Sequence, residues 1–222
     1  MTSQKITVIG ASGGSGRKAV EALLERGHQV TAVSRSASKV FSEKVRTVDG
    51  SALDKSVLKK AIEGQDAVIV TLGISENPIR VRAFGPTNTP INIRSEGTRK
   101  VIEVMKELGV KRLLVQTTFG SGPSKHDLGT MDSLFFSLLL KPQILDTEKQ
   151  DQYVRASGLD WTITQPVHLK DDDYKEGNII ADFNSGVERM GISRKLVSQY
   201  TVDALTDPKT IGKTVALSTS NI

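Results

Sequence analysis

Glycines recur at every third position in Gly10-Ala11-Ser12-Gly13-Gly14-Ser15-Gly16. The run stands directly after the strand-like Ile6-Thr7-Val8-Ile9 and before a helical stretch. A phosphate cradle needs this spacing: one residue without Cβ at the sharp bend, one where backbone meets a pyrophosphate, and one where the helix packs on the strand. Gly10, Gly13 and Gly16 fill those places in order, with Ser12, Gly14 and Ser15 in the same turn. The helix N-terminus then offers N–H groups and a positive dipole end to the phosphates. A glycine pattern alone is equally met by a tight strand-to-helix turn. Here a strand, a helix and a second strand follow at the distances a dinucleotide fold requires.

The end of the second strand selects the dinucleotide. An Asp or Glu there bonds the ribose 2′-hydroxyl of NAD, whereas an arginine accommodates the 2′-phosphate of NADP. Val33-Ser34 is followed by Arg35 and then Lys39, with no carboxylate between Glu25 and Glu43. The expected cofactor is therefore NADP(H).

The elements that must position these residues alternate between short apolar runs and amphipathic stretches, the mark of a parallel sheet wound with helices. Strands are expected at Lys5–Gly10, Gln29–Ser34, Val45–Val48, Ala67–Leu72, Arg112–Thr117 and Trp161–Thr164. Helices are expected at Gly14–Arg26, Lys55–Glu63 and Ile93–Leu108, each followed by a glycine stop at Gly27, Gly64 and Gly109. A loop over 74–92, an apolar helix near 131–140 and a polar helix over 144–156 come between, with short strands and a helix near 194–205 at the end. The pattern predicts an α/β fold, a Rossmann-type doubly wound parallel sheet with helices on both faces. Nothing divides residues 1–222 into separate domains.

The chain has 222 residues, 37% of them hydrophobic and 25% charged, which suits one α/β domain with a sizeable core. It contains no cysteine, which excludes thiol nucleophiles and Cys-type metal sites and is compatible with a reducing cytoplasm. The net charge of +5 is spread among acids along the helices, so no nucleic-acid partner is expected. The longest greasy stretch, Leu134 to Leu140, is too short for a bilayer, so no membrane partner is expected either. Asp171-Asp172-Asp173 reads as a solvated acidic turn, since consecutive residues rarely converge on one ion, and no metal is expected. Arg80, Arg82 and Lys125 read as solvated loop charges, and His28 and His126 as surface residues.

Several stretches together resemble the atypical short-chain dehydrogenases/reductases of the NmrA-like superfamily, and most of all the NAD(P)H-binding flavin and biliverdin-IXβ reductases. They are Gly10 to Gly16, Gly64 to Gly73, Ser95-Glu96-Gly97-Thr98-Arg99, Val115 to Thr118, Ser157 to Ile163, and Gln165-Pro166-Val167-His168. The likeness implies that Asp49 and Gly50 lie beside the adenine and that Thr71, Leu72 and Gly73 line the adenosine side. It implies that Thr117 and Thr118 sit by the nicotinamide, with Pro166 on the cofactor. Thr118 stands where the flavin reductases carry a serine, so a hydroxyl is kept. His168 falls on a histidine that borders the family's nicotinamide and substrate pocket.

Short-chain dehydrogenases that act on alcohols use Tyr-x-x-x-Lys, whose lysine lowers the tyrosine pKa for proton exchange. Tyr153, Tyr174 and Tyr200 are followed four residues later by Ser157, Asn178 and Ala204. The expectation is thus an NADPH-dependent reductase, with Thr118 and His168 at the reaction centre and a flavin, quinone or similar small-molecule acceptor. The chain is expected to be a monomer or weak homodimer. The competing expectation is a non-catalytic NADP(H)-sensing regulator, which shares the fold and also lacks the Tyr–Lys pair. A sugar epimerase would generally keep the tyrosine.

Overall fold

A computed structural model of the chain describes residues 2–74, 76, 80, 85–121, 141–171 and 177–220. Arg82, Lys125, His126, Asp172, Asp173, Tyr174 and the expected apolar helix over 131–140 lie outside the described residues. Strands form at Lys5–Ile9 (β1), Gln29–Ser34 (β2), Arg46–Asp49 (β3), Ala67–Val70 (β4) and Arg112–Gln116 (β5). They continue with Asp160–Pro166 (β6), His168–Lys170 (β7), Ile179–Asp182 (β8), Gly191–Ser193 (β9) and Lys213–Thr219 (β10). Helices run over Gly14–Glu25 (α1), Lys55–Ile62 (α2), Ile93–Leu108 (α3), Lys141–Arg155 (α4) and Arg194–Asp203 (α5).

Eight strands make one sheet in the order β3-β2-β1-β4-β5-β6-β10-β8, while β7 and β9 pair apart from it. Every pairing in the large sheet is parallel except that of β8 with β10. The order turns outward in opposite directions from β1 and β4. In such sheets the crevice beyond the carboxyl ends of the strands, at that turning point, is where ligands bind.

Alternation along each strand divides the core. Ile6 and Val8 of β1, Ala67 and Ile69 of β4, and Leu114 of β5 pack with Ala19, Val20 and Leu23 of α1 and Val202 of α5. Ile9, Val68, Val70, Leu113 and Val115 face the other way, onto Leu58 of α2, Val101 and Met105 of α3, and Val154 of α4. Helices therefore cover both faces, as the apolar periodicity predicts. The expected span of α3 is met at both ends; Gly109 stops it with φ of +73°, where a side chain would be strained.

α4 begins three residues before its expected start at 144, and beside the apolar Ile144 and Val154 most of its buried residues are polar. Asp146, Thr147, Gln150 and Asp151 are all buried. Gln150 Nε2 donates to Thr98 Oγ1 at 2.8 Å, and Asp146 accepts from the N–H groups of Arg94 at 3.0 Å and Ser95 at 3.3 Å. A carboxylate on one helix thus caps the start of another. His28, expected on the surface, is only 6% exposed; its Nδ1 accepts from the Gln4 N–H, and burial lowers its pKa.

Candidate functional site

The glycine turn lies at the carboxyl end of β1. Gly10 has φ of +87°, and a Cβ there would approach the Thr71 carbonyl oxygen to 2.9 Å. A Cβ on Gly16 would come within 2.3 Å of the Gly10 carbonyl oxygen and 2.7 Å of Ala11 Cα. Only glycine lets α1 start so close to the strand. Gly13, by contrast, has room: its nearest neighbour would be Gly10 O at 3.4 Å.

Gly13 is the N-cap of α1 and provides no side-chain hydrogen bond to it. The starts of α2, α5 and α3 are served by side chains: Asp54 accepts from Ser56 N, Ser193 from Leu196 N, and Asp146 caps α3. The first-turn N–H groups of α1 are left facing the crevice, in the arrangement that binds an anionic oxygen. The turn is braced from β5 by Gln116 Nε2, which donates to Ser15 Oγ at 2.9 Å.

Two cavities meet over this turn. The first, about 200 Å³, is bounded by Ser12, Gly13, Arg35, Gly50, Thr89 and Ile93 among others. The second, about 310 Å³, is bounded by Gly14, Ser15, Thr117, Thr118, Pro166 and His168 among others. Gly13, Thr71, Leu72 and Gly73 line both, so they join into one cleft across the carboxyl ends of β2, β1, β4, β5 and β6. Arg35 stands at one end and Thr118 and His168 at the other.

Arg35 is exposed; its guanidinium donates to the carbonyl of Asn88 and, at 3.2 Å, to Thr89 Oγ1. Lys39 ends a short 3₁₀ turn over Ala37–Lys39 and is not among the cleft-lining residues. Asp49 does not line the cleft either. Its carboxylate accepts from Ser38 Oγ and from Ser38 N at 2.9 Å, and those bonds hold its pKa below the ordinary range. Gly50, beside it, does line the first cavity.

At the other end, Thr117 N donates to Thr164 O at 2.9 Å and Phe119 N to Pro166 O at 3.0 Å, which locks the ends of β5 and β6 side by side. Thr118 is half-buried between them, and His168 is exposed at the start of β7. Tyr153 packs against the core on the α3–α4 side and Tyr200 between α5 and the sheet; neither lines the cleft.

Three residues of this region carry no motif in the sequence. Arg94 and Arg194 both line the second cavity, from opposite faces of the sheet. Asp151 lies buried behind Thr117, with Oδ2 3.2 Å from Gln165 Nε2, and burial pushes its carboxyl up to about 7. Arg80, read as a loop charge, pairs with Glu76 at 2.9 Å, and Asp171 pairs with Arg194 at 2.6 Å. Among the described residues no cluster of acids, histidines or cysteines could hold a metal ion, and no helix is long and apolar enough to cross a membrane.

Comparison with known proteins gives a family and a set of relatives. A family model described as NAD(P)H-binding matches residues 10–208. An uncharacterized chloroplastic protein of Arabidopsis thaliana is 28% identical over 220 residues, 97% of this chain and 76% of its own length. A short-chain dehydrogenase/reductase of Veillonella parvula, solved in complex with NADP, superposes with TM-score 0.80 at 16% identity, covering 98% of this chain and 95% of its own. An anaerobilin reductase of Escherichia coli O157:H7 superposes with TM-score 0.76 at 21% identity, covering 98% of both chains.

Proposed function

The chain belongs to the NAD(P)H-binding family, and on that premise we propose that it is an NADPH-dependent reductase of a flavin, quinone or similar conjugated acceptor. The observation that carries the proposal is the single cleft over the uncapped start of α1, with Arg35 at one end and Thr118 and His168 at the other. The order of its lining residues, an arginine at one end, the glycine turn at the middle and a hydroxyl and imidazole at the other, suits a dinucleotide laid adenosine-first across the sheet. Gly13, Gly14 and Ser15 would hold the pyrophosphate, and Arg35 the 2′-phosphate. Thr117, Thr118 and Pro166 would border the nicotinamide.

Bound NADPH supplies a hydride. The residues at that end of the cleft bind and orient: a hydroxyl on Thr118, an imidazole on His168, and the apolar wall of Val167 and Leu169. Acceptors that take hydride on a conjugated ring need little proton transfer from the protein, so orientation can carry most of the rate. Neither described tyrosine lines the cleft, which argues against alcohol oxidation through a tyrosine–lysine pair. The same fact leaves one other reading, a regulator that senses NADP(H) without turnover. Stopped-flow oxidation of protein-bound NADPH against a panel of flavins and quinones separates the two. Rapid oxidation by at least one class is expected, and tight NADPH binding with no oxidation by any acceptor would favour the regulator.

A further inference from the structure

Resting on that reading, we infer that the acceptor carries an anionic oxygen group, a phosphate or a carboxylate, and that Arg94 receives it. Arg94 is the second residue of α3, and its guanidinium lies against Gly73, with Nη2 3.2 Å from where a Cβ on that glycine would be. It lines the second cavity together with Thr118 and His168. Among the described residues the guanidinium has no hydrogen-bond or ion-pair partner. Asp146 is committed to the backbone N–H groups of Arg94 and Ser95 and to the Ser95 hydroxyl, and it touches the guanidinium only through longer-range attraction.

The Arg94 side chain is half-buried in the cavity wall, and the carboxylates of Asp146 and Asp151 act on it only at longer range. Burial here pulls the Arg94 pKa below its ordinary value, with Asp146 and Asp151 opposing that shift. An anion entering the cavity would complete its hydrogen bonding, because a guanidinium presents two parallel N–H donors to a carboxylate or phosphate.

Two anions could claim it, the cofactor pyrophosphate and a group on the acceptor. Arg194 is better placed for the first, since its Nε lies 2.9 Å from where a Cβ on Gly14 would be, directly on the phosphate turn. Arg94 comes instead from the α3 layer, beyond β4, on the side of Ile74. The geometry therefore divides the two arginines, Arg194 to the cofactor and Arg94 to the acceptor.

FMN and riboflavin form a matched pair that differs by one phosphate, and a naphthoquinone carboxylate with its methyl ester forms a second. In the unaltered protein kcat/KM should favour the anionic member by tenfold or more in at least one pair, and which pair responds tells phosphate from carboxylate. Arg94→Met should bring that ratio to within twofold of one, Arg94→Lys should keep part of it, and the dissociation constant of NADPH should move less than twofold. The thermal midpoint of Arg94→Met without ligand should be no lower than that of the unaltered protein, so loss of folding would be seen directly. Fluorescence titration of each compound against the protein–NADP⁺ complex reads the same ratios without turnover, which separates failure of this inference from failure of the reductase reading. Ratios near one in the unaltered protein, ratios untouched by Arg94→Met, or a tenfold loss of NADPH affinity in that variant would each overturn it.

Discussion

A Cβ on Gly16 would sit 2.3 Å from the carbonyl oxygen of Gly10, so the first turn of α1 can rest on the end of β1 only as glycine. Gly16→Ala should cost about 1–3 kcal/mol through overpacking against backbone that cannot move aside. The thermal midpoint should fall by several degrees, and NADPH binding should weaken with it. Gly13→Val separates fold from ligand, because a Cβ at Gly13 meets nothing closer than 3.4 Å. Far-UV circular dichroism and the thermal midpoint should change little while calorimetric titration with NADPH goes flat. Normal binding by Gly13→Val would place the phosphates elsewhere.

Arg35 governs cofactor choice if the 2′-phosphate displaces the contacts it now makes with Asn88 and Thr89. The unaltered protein should bind NADPH more tightly than NADH, and loss of one charge-assisted contact should cost about 1.5–3 kcal/mol. Arg35→Asp should erase or reverse the preference. Identical isotherms for the two cofactors in the unaltered protein would contradict this assignment.

Thr118, His168 and Tyr153 divide the chemistry. Thr118→Val should slow turnover about tenfold, or about 1.4 kcal/mol, if its hydroxyl orients ring or acceptor. His168→Ala should mainly raise KM if the imidazole positions the acceptor, and lower kcat if it gives a proton in the transition state. Tyr153→Phe should leave turnover nearly intact, because the ring packs in the core with Lys149 Nζ 5.8 Å from its centre. Simple secondary alcohols with NADP⁺ should give no product. Oxidation of such an alcohol that vanished in Tyr153→Phe would reverse the mechanism.

Asp151 should make stability fall with rising pH. Burial, opposed by Arg155 and the Gln165 amide, lifts its carboxyl from 3.8 to about 7. Below pH 4 folded and unfolded chains both hold the proton, and there is no penalty. Between about 4 and 7 only the unfolded chain releases it, so stability declines; above 7 the loss is complete and the curve levels. A rise of that size corresponds to something on the order of 4 kcal/mol. Asp151→Asn keeps the shape and removes the titration, so its urea midpoint should exceed that of the unaltered protein at pH 8 and match it near pH 4. Parallel curves for the two proteins across that range would rule out Asp151 as the source.

The sequence carries the glycine turn, the parallel strands and the bounds of α3 because each has a local cause: a conformation only glycine adopts, a run of β-branched residues, a left-handed stop. The cleft's outer residues lack such causes. Arg94 reads as an ordinary charge in a first helical turn, and its meaning comes from Gly73 and α4, which are remote in sequence. Asp151 reads as one more polar residue on a polar helix, since apolar periodicity cannot signal a face buried through Asp146, Gln150 and Asp151. The antiparallel β8 and the β7–β9 pair are short strands whose partners are distant segments. His28 likewise owes its burial to the N-terminal segment folded over it.

The place of β10 has a consequence for the order in which the molecule can assemble. β8 comes earlier in the chain, yet among the described residues it joins the large sheet only through β10, which lies between it and β6. During synthesis the first six strands can pair as they emerge, but β8 has no edge to dock on until β10 has been made and laid against β6. The carboxyl edge of the sheet is therefore completed last and as a unit. Loop closure over long sequence separation makes such late, non-local pairing slow. While it waits, β6 stands as an open edge on which another chain could pair, and a protein of this topology should be most prone to aggregate in the interval before its final strand is in place.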